Sequence, residues 1–249
     1  MTRLDITYRI YLATPMHIGT GMGFAKMIDD MVTRAGPAKG EGARLPCIPG
    51  SSIKGKARSR CEALANTLRL KICGARKCKM NPCIVCRIFG TPFSPGGLQF
   101  SDALLHSKMS VVARLPGSSS ASTADPFALG TVRAGNKLER PTRTVEPDFL
   151  FSIEHTADQL QYEGSIKGQV DDRNSERLNI RLPLEGWLLT VGLLSVDKVG
   201  GSRSRGMGRC RITIAGLVVE GREEENLAGN LTELLAEEDY LLGLSEYEA

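Results

Sequence analysis

The chain lacks long hydrophobic runs, and it also lacks the familiar motifs of nucleotide and acyl chemistry. No apolar stretch in its 249 residues is long enough to cross a membrane or to act as a signal peptide, so we expect a cytoplasmic protein with no membrane partner. No Ser/His/Asp grouping, Walker loop or dinucleotide fingerprint occurs, and there are only three histidines. Function must therefore be sought in charge, glycine loops and cysteines.

The charge of the chain is unevenly distributed. The net charge is +4, but residues 220–249 contain ten acidic residues and one arginine. Residues 1–219 therefore form a strongly basic body followed by an acidic tail. A basic body attracts a polyanion, and nucleic acid is the commonest one.

The first candidate binding segment is residues 45–58, LPCIPGSSIKGKAR, in which a glycine-and-serine turn opens onto a predicted helix. Free backbone N–H groups and the positive dipole end of a helix start favour phosphate. Lys54 and Arg58 are four residues apart, so they lie on one helix face and add full charges. The candidate phosphate-binding residues of this segment are Ser51, Ser52, Lys54, Lys56 and Arg58.

A second segment repeats this chemistry near the other end of the chain. Residues 200–208, GGSRSRGMG, contain four glycines that let the backbone approach a ligand closely, and their arginines supply forked donors. The candidate residues here are Gly201, Arg203, Arg205 and Gly206. Two separate phosphate-binding loops indicate a polymeric ligand.

Apolar periodicity predicts interleaved strands and helices without a regular βαβ repeat, which is typical of an α+β fold. Residues 3–12 alternate as a half-buried strand, and the spacing from Ile53 predicts a helix that packs against the sheet. The other predicted elements are a short strand near 27–32 within a long loop 17–44, a strand or ordered turn at 98–105, strands at 149–153, 187–194 and 211–219, and an acidic helix at 227–242.

Residues 126–147 are basic and show little apolar periodicity, which predicts a protruding hairpin. Arg133 and Arg140 are its candidate nucleic-acid contacts.

Four of the seven cysteines lie within fourteen residues, as Cys73-x4-Cys78-x4-Cys83-x2-Cys86. Four thiolates at these spacings can close around one tetrahedral Zn²⁺, with no position left open for water, so we predict a structural zinc site in an otherwise irregular insertion. The alternative is four unliganded structural cysteines. Cys47, Cys61 and Cys210 are interpreted as small buried hydrophobic residues.

Asp29 and Asp30 lie in the long loop, where a carboxylate beside a phosphodiester could hold Mg²⁺ or position an attacking 2′-hydroxyl. On the residues alone, such a pair is more often a solvated turn or cap. His17 could act as a base or as a phosphate donor, but a lone histidine is more often a hydrogen-bonded packing residue. His106 and His155 belong to no recognisable constellation.

Three motifs in order resemble the RAMP superfamily of CRISPR-associated proteins. They are His17-Ile18-Gly19 after the first strand, the LPxIPGSSxKGxxR pattern of residues 45–58, and GGSxSRGxG at 200–208. Phe89-Gly90 and the Phe100-x-Asp102-Ala103 pattern support the match. The resemblance is strongest to the repeated backbone subunit of type III effector complexes and implies a modified ferredoxin-like, RNA-recognition-motif-like core. To this palm the family adds a fingers or lid insertion and a thumb hairpin.

The resemblance also implies an activity. In such backbone subunits an Asp between the first two motifs is required for metal-dependent cleavage of target RNA, and Asp29 in Ile28-Asp29-x-x-Val32 matches it, with Asp30 as the fallback. The implied cofactors are structural Zn²⁺ and catalytic Mg²⁺ or Mn²⁺. The implied partners are guide RNA, complementary target RNA, further copies of this chain and other type III subunits, and His17 joins the RNA-binding set.

Two alternatives stay open beside the cleaving subunit. One is a non-catalytic subunit that holds guide RNA, and the other is a guide-processing endoribonuclease using His17. In each case we expect a single domain over 1–249. Its expected parts are a core at 1–16, 45–70, 98–106, 148–156 and 184–219, a catalytic loop at 17–44, a zinc insertion at 71–93, a thumb at 126–147 and an acidic helix at 222–249.

Overall fold

The structure is a computed structural model of the chain. It describes residues 1–24, 27–35, 44–73, 78, 82–106, 129–171 and 182–223. The predicted acidic helix at 227–242 and the first residues of the predicted hairpin, 126–128, lie outside these ranges. No helix in the described ranges is long and apolar enough to cross a membrane.

The first strand, β1 (Thr2–Leu12), is central to the fold. Its alternation places Leu4, Ile6, Tyr8 and Ile10 fully inside the core, as the sequence predicts. It pairs antiparallel with β8 (Gln161–Val170) on one side and with β9 (Cys210–Val219) on the other.

Three short strands complete the main sheet: β4 (Leu98–Phe100), β5 (Leu104–Leu105) and β10 (Arg222–Glu223). The strand order is β10-β9-β1-β8-β4, and β5 pairs with another part of β8.

Two long helices cover one face of the sheet. Helix α1 (Gly50–Thr67) buries Ile53, Ala57, Cys61 and Ala65, which confirms its predicted apolar stripe. Helix α3 (Leu184–Leu194) packs beside it, and the Cys61 thiol donates to the Leu188 carbonyl at 3.3 Å.

The order of these elements along the chain defines the fold. The chain runs β1, α1, β4, β8, α3, β9 through the sheet, which is the βαββαβ connectivity and 4-1-3-2 order of a ferredoxin-like core. The predicted α+β class is confirmed.

The prediction of a strand at 187–194 is wrong, because these residues belong to α3. The sequence LEGWLLTVGLL is apolar all round, and nine of its eleven residues are buried. A helix wholly enclosed by sheet and helix has no polar face, so it lacks the 3.6-residue signature that distinguishes it from a buried strand.

Strands β6 (Gly130–Leu138) and β7 (Val145–Thr156) form a separate antiparallel hairpin. The sequence predicts a hairpin at 126–147 and a core strand at 148–156. The second prediction is wrong, because β7 pairs with β6 in its own two-stranded sheet along most of its length. The phenylalanines that indicate a core strand, Phe149 and Phe151, instead lie on this hairpin.

The remaining elements are short. Strands β2 (Arg34–Ala35) and β3 (Leu45–Pro46) pair with each other, and residues 27–32 form isolated bridges rather than the short strand expected there. Within its described residues, the cysteine insertion contains helix α2 (Ile84–Phe89), where an irregular segment is expected from the sequence.

Candidate nucleic-acid interface

The three separated motifs meet at one cleft of about 680 Å³. The first turns of α1 form one wall, the segment after β1 forms a second, and the glycine loop after α3 forms the third. The residues from the predicted set that line it are His17, Ser51, Ser52, Lys56, Gly201 and Arg203. The fold thus brings both predicted phosphate-binding loops to a single surface.

The glycine loop is held against the segment after β1 by its backbone. Gly201 donates to the His17 carbonyl at 2.8 Å, and a Cβ at Gly200 would lie 2.5 Å from the same carbonyl oxygen. At Gly208 a Cβ would lie only 1.8 Å from the Val199 carbonyl oxygen. Two of the four glycines are therefore required by the protein's own packing, whereas the sequence pattern assigns all four to ligand approach.

Four cations line the cleft, and the charges of three of them, Lys56, Arg60 and Arg203, interact with one another. The pKa of Lys56 is lowered, first by burial and then by the charges of Arg203 and Arg60. The charge of Asp197 acts in the opposite direction and raises the pKa of Lys56, and Asp197 also forms an ion pair with Arg60. Like charges held this close favour an anion between them.

Arg60 and Lys198 also line the cleft, although neither lies in a predicted binding motif. Arg60 lies one helical turn beyond Lys56, so the i, i+4 spacing was a usable signal. Arg205 does not line the cleft; it lies exposed at the end of a single 3-10 turn, Arg203–Arg205, before Gly206.

A second cleft of about 330 Å³ lies on the other side of the α1 start. Lys54, Phe89 and Gly90 line it, and it shares Ser51 and Gly55 with the first cleft. Gly55 is exposed within α1, and a Cβ added there would meet no described atom within 4 Å. The described fold therefore does not require a glycine at position 55. Its effect is to leave the helix surface between the two clefts without a side chain.

Arg58 is placed differently from the expected phosphate-binding position. Its guanidinium donates to the Gly90 carbonyl at 2.8 Å, to Glu62 Oε1 at 2.9 Å and to the Cys86 thiol at 3.5 Å. The residue is 8% exposed. Lys54 and Arg58 line the second cleft together, as their spacing predicts, but Arg58 is mostly buried there and ties α1 to the cysteine insertion.

The four sulfur atoms of Cys73, Cys78, Cys83 and Cys86 all lie within 4.8 Å of one another and could hold a metal ion. The Cys73 and Cys86 sulfurs are 3.5 Å apart. Zinc–sulfur bonds of about 2.3 Å in a tetrahedron place ligand sulfurs roughly 3.8 Å apart, so the group has the right size. Burial raises the pKa of the Cys86 thiol, and a bound cation would reverse that preference.

His17 lies at the border between the cleft and the acidic loop. Its Nδ1 donates to the Glu154 carbonyl at 2.6 Å, and its Nε2 lies 3.1 Å from Asp30 Oδ2. Asp30 also accepts from the Gly21 amide at 3.0 Å. Both ring nitrogens of His17 are thus engaged, and Asp30 is occupied with holding the loop.

Asp29 faces outward from the same loop. Its amide donates to the Ser152 carbonyl at 2.8 Å, and its Oδ2 accepts from the Ser152 amide at 2.6 Å. The residue is exposed, so its carboxylate can reach a ligand beside the cleft while its backbone is fixed to β7. Of the two candidate acids, Asp29 is the more accessible and Asp30 the more enclosed.

A buried ion pair between Glu154 and Arg34 lies behind this loop, and neither residue is among the predicted site residues. Glu154 is 1% exposed; it accepts from Arg34 Nη1 at 2.8 Å, from Arg34 Nη2 through its other oxygen, and from the Val32 amide at 3.0 Å. Glu154 comes from β7, and its partners lie about 120 residues earlier. No local pattern reveals such a pair, because its members meet only in the folded chain.

The predicted hairpin contacts Arg133 and Arg140 are both exposed, Arg133 on β6 and Arg140 in the turn after it. Nearby, Lys137 pairs with Glu146 at 2.6 Å and lies over the Phe149 ring. His155 packs against the His17 ring, and His106 lies 3.3 Å from Glu163 on the main sheet. Neither histidine lines the cleft.

The chain resembles known proteins over most of its length. It is 28% identical to the CRISPR system Cms endoribonuclease Csm3 of Streptococcus thermophilus over 218 residues, which are 83% of this chain and 86% of that protein. It is also 28% identical to the protein of the same name from Enterococcus italicus, over 91% of this chain and 98% of that one.

Solved structures show the same fold. A chain of the type III-B Cmr-beta complex bound to cognate target RNA matches with a TM-score of 0.54 and 12% sequence identity, covering 84% of this chain and 96% of that one. A chain of the apo Cmr-beta structure matches with a TM-score of 0.54 and 13% identity, covering 85% and 97%.

The family model described as the RAMP superfamily matches residues 9–211, which include all three motifs and the whole cleft. This chain belongs to the RAMP superfamily.

Proposed function

We propose that this chain is a backbone subunit of a type III CRISPR ribonucleoprotein, which binds guide RNA along its sugar-phosphate backbone and cleaves base-paired target RNA. One observation carries the proposal. Three motifs far apart in sequence converge on a single cation-lined cleft, and His17 at its border touches the loop that presents Asp29. The similarity to Csm3 endoribonucleases supports the same activity.

The cleft and its neighbour form the guide-binding surface. Lys56, Arg60 and Arg203 supply charge in the first cleft, and Lys54 supplies it in the second. The exposed Ser51 at the start of α1 adds its backbone N–H, whereas the Gly50 amide already donates to Asp102 and the Ser52 amide to the Pro49 carbonyl. Gly55 lets a phosphate backbone cross between the clefts. These groups contact phosphate rather than base edges, so the surface accepts any guide sequence.

Cleavage is assigned to Asp29. The target 2′-hydroxyl loses its proton and attacks the adjacent phosphorus, the bond to the 5′-oxygen breaks, and that oxygen takes up a proton. The products are a 2′,3′-cyclic phosphate and a 5′-hydroxyl. Asp29 is exposed and held by Ser152, so it can face the scissile phosphate in a fixed position.

The oxygen donors of this loop fit a divalent cation. Mg²⁺ or Mn²⁺ is typically held by one or two carboxylates together with phosphate oxygens, and the exposed Asp29 carboxylate meets that requirement. Such an ion would neutralise charge on the phosphate oxygens. Asp30 stays the fallback ligand, although its oxygens already accept from Gly21 and face His17.

The cysteine cluster is proposed to bind one structural Zn²⁺ through Cys73, Cys78, Cys83 and Cys86. Four thiolates with one Zn²⁺ carry a net negative charge, and the Arg58 guanidinium beside Cys86 offsets part of it. The cluster thereby fixes the insertion against α1, whose start forms both clefts.

The proposed domain organisation is one RAMP domain over 1–249, with the β6–β7 hairpin as the thumb. Its exposed Arg133 and Arg140 are available to the RNA duplex. The proposed partners are guide RNA, target RNA, other copies of this chain and other type III subunits. The proposed location is the cytoplasm, and the proposed biological role is CRISPR antiviral defence.

A guide-processing role fits less well, because both nitrogens of His17, the candidate base, are engaged.

The test is to purify the chain with the products of its neighbouring genes and to analyse the bound RNA. A guide of defined length with a repeat-derived 5′ handle should co-purify, and the complex should cut complementary RNA at regular intervals with Mg²⁺ or Mn²⁺. Absence of bound RNA would refute the proposal. Bound guide with no cleavage would instead support the non-catalytic subunit.

A further inference from the structure

The loop that presents Asp29 lies alongside β7 and bonds to it much as a third strand of the hairpin sheet would. Asp29 exchanges two hydrogen bonds with Ser152, and the Glu154 amide donates to the Asp30 carbonyl at 3.0 Å. Asp30 and Ile153 form a parallel bridge between these bonds. The loop is thus attached to β7 over the same few residues that carry the candidate catalytic acid.

Glu154 closes this attachment through its side chain. Its buried carboxylate binds the Val32 amide and both terminal nitrogens of Arg34, and its carbonyl accepts from His17. One residue of the hairpin therefore holds the loop directly after Asp29, at Asp30, Val32 and Arg34, and also holds the histidine at the cleft border. A bidentate pair of this kind fixes orientation as well as distance.

We propose that Glu154, with Arg34, is a positioning residue that sets the location of the Asp29 carboxylate relative to the hairpin. The inference rests on the proposed function, because it assigns the pair to cleavage of target RNA by Asp29. Because the same hairpin that contacts the duplex also carries Glu154, a displacement of the hairpin displaces Asp29 with it. The cleavage rate therefore depends on how the hairpin is placed in the guide–target duplex.

The test uses Glu154→Gln in the assembled complex with guide RNA. The amide keeps the size of the side chain and an oxygen for the Val32 amide, but it removes the charge-assisted fork to Arg34. Misplacement of a catalytic group by about 1 Å can cost roughly 10²-fold in rate, so single-turnover cleavage at saturating target should fall about tenfold or more. Guide content and target affinity should stay within about twofold of the wild type.

Glu185→Gln is the matched control. Glu185 is also a buried glutamate, paired with Arg87 and accepting from the Asp171 amide at 2.7 Å, but it lies on α3 away from the Asp29 loop. Its replacement should leave the cleavage rate of the assembled complex unchanged. The double variant Glu154→Gln with Arg34→Gln leaves no unpaired buried charge, so it tests positioning without that folding penalty. It should also cleave slowly.

The outcomes distinguish the positioning role from the proposed function. Wild-type cleavage by assembled Glu154→Gln complex, or an equal reduction in Glu185→Gln, would overturn the positioning role while leaving Asp29 as the catalytic residue. Full cleavage by Asp29→Ala would overturn the proposed function itself. Slow cleavage with intact target binding in both Glu154 variants, and in no control, is the expected result.

Discussion

The amide nitrogen of Ser152 donates a 2.6 Å hydrogen bond to the Oδ2 of Asp29, which joins the hairpin to the acidic loop over a separation of 123 residues. The Asp29 amide returns a bond to the Ser152 carbonyl. Asp29 is therefore fixed at both backbone and side chain while staying exposed. This combination suits a residue that must meet a ligand in one defined position, and it distinguishes Asp29 from the enclosed Asp30.

We expect Asp29→Ala to reduce target cleavage by roughly 10²-fold or more, the scale of removing one charge-stabilising group at a transition state. Guide and target binding should be nearly unchanged, because the carboxylate is outside the cation cluster. Asp30→Ala should have a smaller effect. Cleavage assays with Mg²⁺ or Mn²⁺ and parallel binding assays on the assembled complex measure both. A reduction confined to Asp30→Ala would move the assignment by one residue.

Gly55→Ala should have opposite effects on stability and on RNA binding. Replacing an exposed glycine inside a helix by alanine stabilises by about 1 kcal/mol, which corresponds to roughly 2–4 °C in Tm for a chain of this size. The added methyl meets no described protein atom, but it would overpack an RNA backbone crossing between the clefts, at a cost of about 1–3 kcal/mol or fivefold or more in affinity. Thermal unfolding measures the expected rise in Tm, and guide-binding titrations measure the expected loss of RNA affinity.

The control for Gly55→Ala is Ala63→Gly, at an exposed position farther along α1. This change should lower Tm and leave RNA affinity unaltered. A Gly55→Ala variant that binds guide as tightly as the wild type would show that no strand passes over this position.

The RNA-binding cleft can be tested through salt dependence. Lys56→Ala with Arg203→Ala should weaken guide binding equally for unrelated sequences. It should also lower the slope of log K against log salt by about 0.7 for each single-strand phosphate that the variant no longer neutralises. The matched control removes Arg9 and Lys167, two cations on the main sheet that pair with Glu163 and Asp5. That control should leave the slope unchanged. An altered sequence preference at constant slope would mean that Lys56 and Arg203 read bases.

Zinc content provides an independent test of the cysteine insertion. Protein purified without chelator should contain one Zn²⁺ per chain, and Cys83→Ser should lower the metal content because it opens a four-thiolate site. Arg58→Ala should retain Zn²⁺ more weakly, since it removes the cation beside Cys86. Elemental analysis that finds no zinc in the wild type, or unchanged zinc in Cys83→Ser, would contradict the assignment.

Strict alternation made β1 predictable, because one of its faces is buried and the other is polar. The same signal exists in β8, where Tyr162 and Ile166 are buried, but Gly164 and Gly168 interrupt the apolar series and the strand was not predicted. In α3 the opposite problem arises, since burial on every side removes periodicity altogether. Prediction thus succeeded where an element has one solvent-exposed face and an uninterrupted series of apolar side chains on the opposite face.

Two segments that line the cleft could be predicted from the sequence because their motifs are local: a helix start and a glycine loop each indicate phosphate binding on their own. Their convergence on one cleft could not. The supporting contacts could not be predicted either. Arg58 looks like a surface residue on the helix, and only the insertion that covers it reveals its bonds to Gly90 and Cys86. Glu154 and Arg34 likewise become partners only through the fold.

The two buried glutamates should respond to pH with opposite sign. Burial raises the pKa of Glu154, but the hydrogen bonds from Arg34 and Val32 and the charges of Arg34 and His17 outweigh it and hold this pKa below the usual value. The stability that Glu154 contributes is therefore present above the ordinary glutamate pKa of about 4.3 and disappears as the pH falls through the lowered value. Burial raises the pKa of Glu185 despite Arg87, so the stability that Glu185 contributes disappears as the pH rises through the raised value.

Chemical denaturation of the wild type, Glu154→Gln and Glu185→Gln between pH 3 and about 7 measures these pH dependences of stability. The stability difference between wild type and Glu154→Gln should grow with pH, and that for Glu185→Gln should shrink; parallel curves would refute the assigned environments.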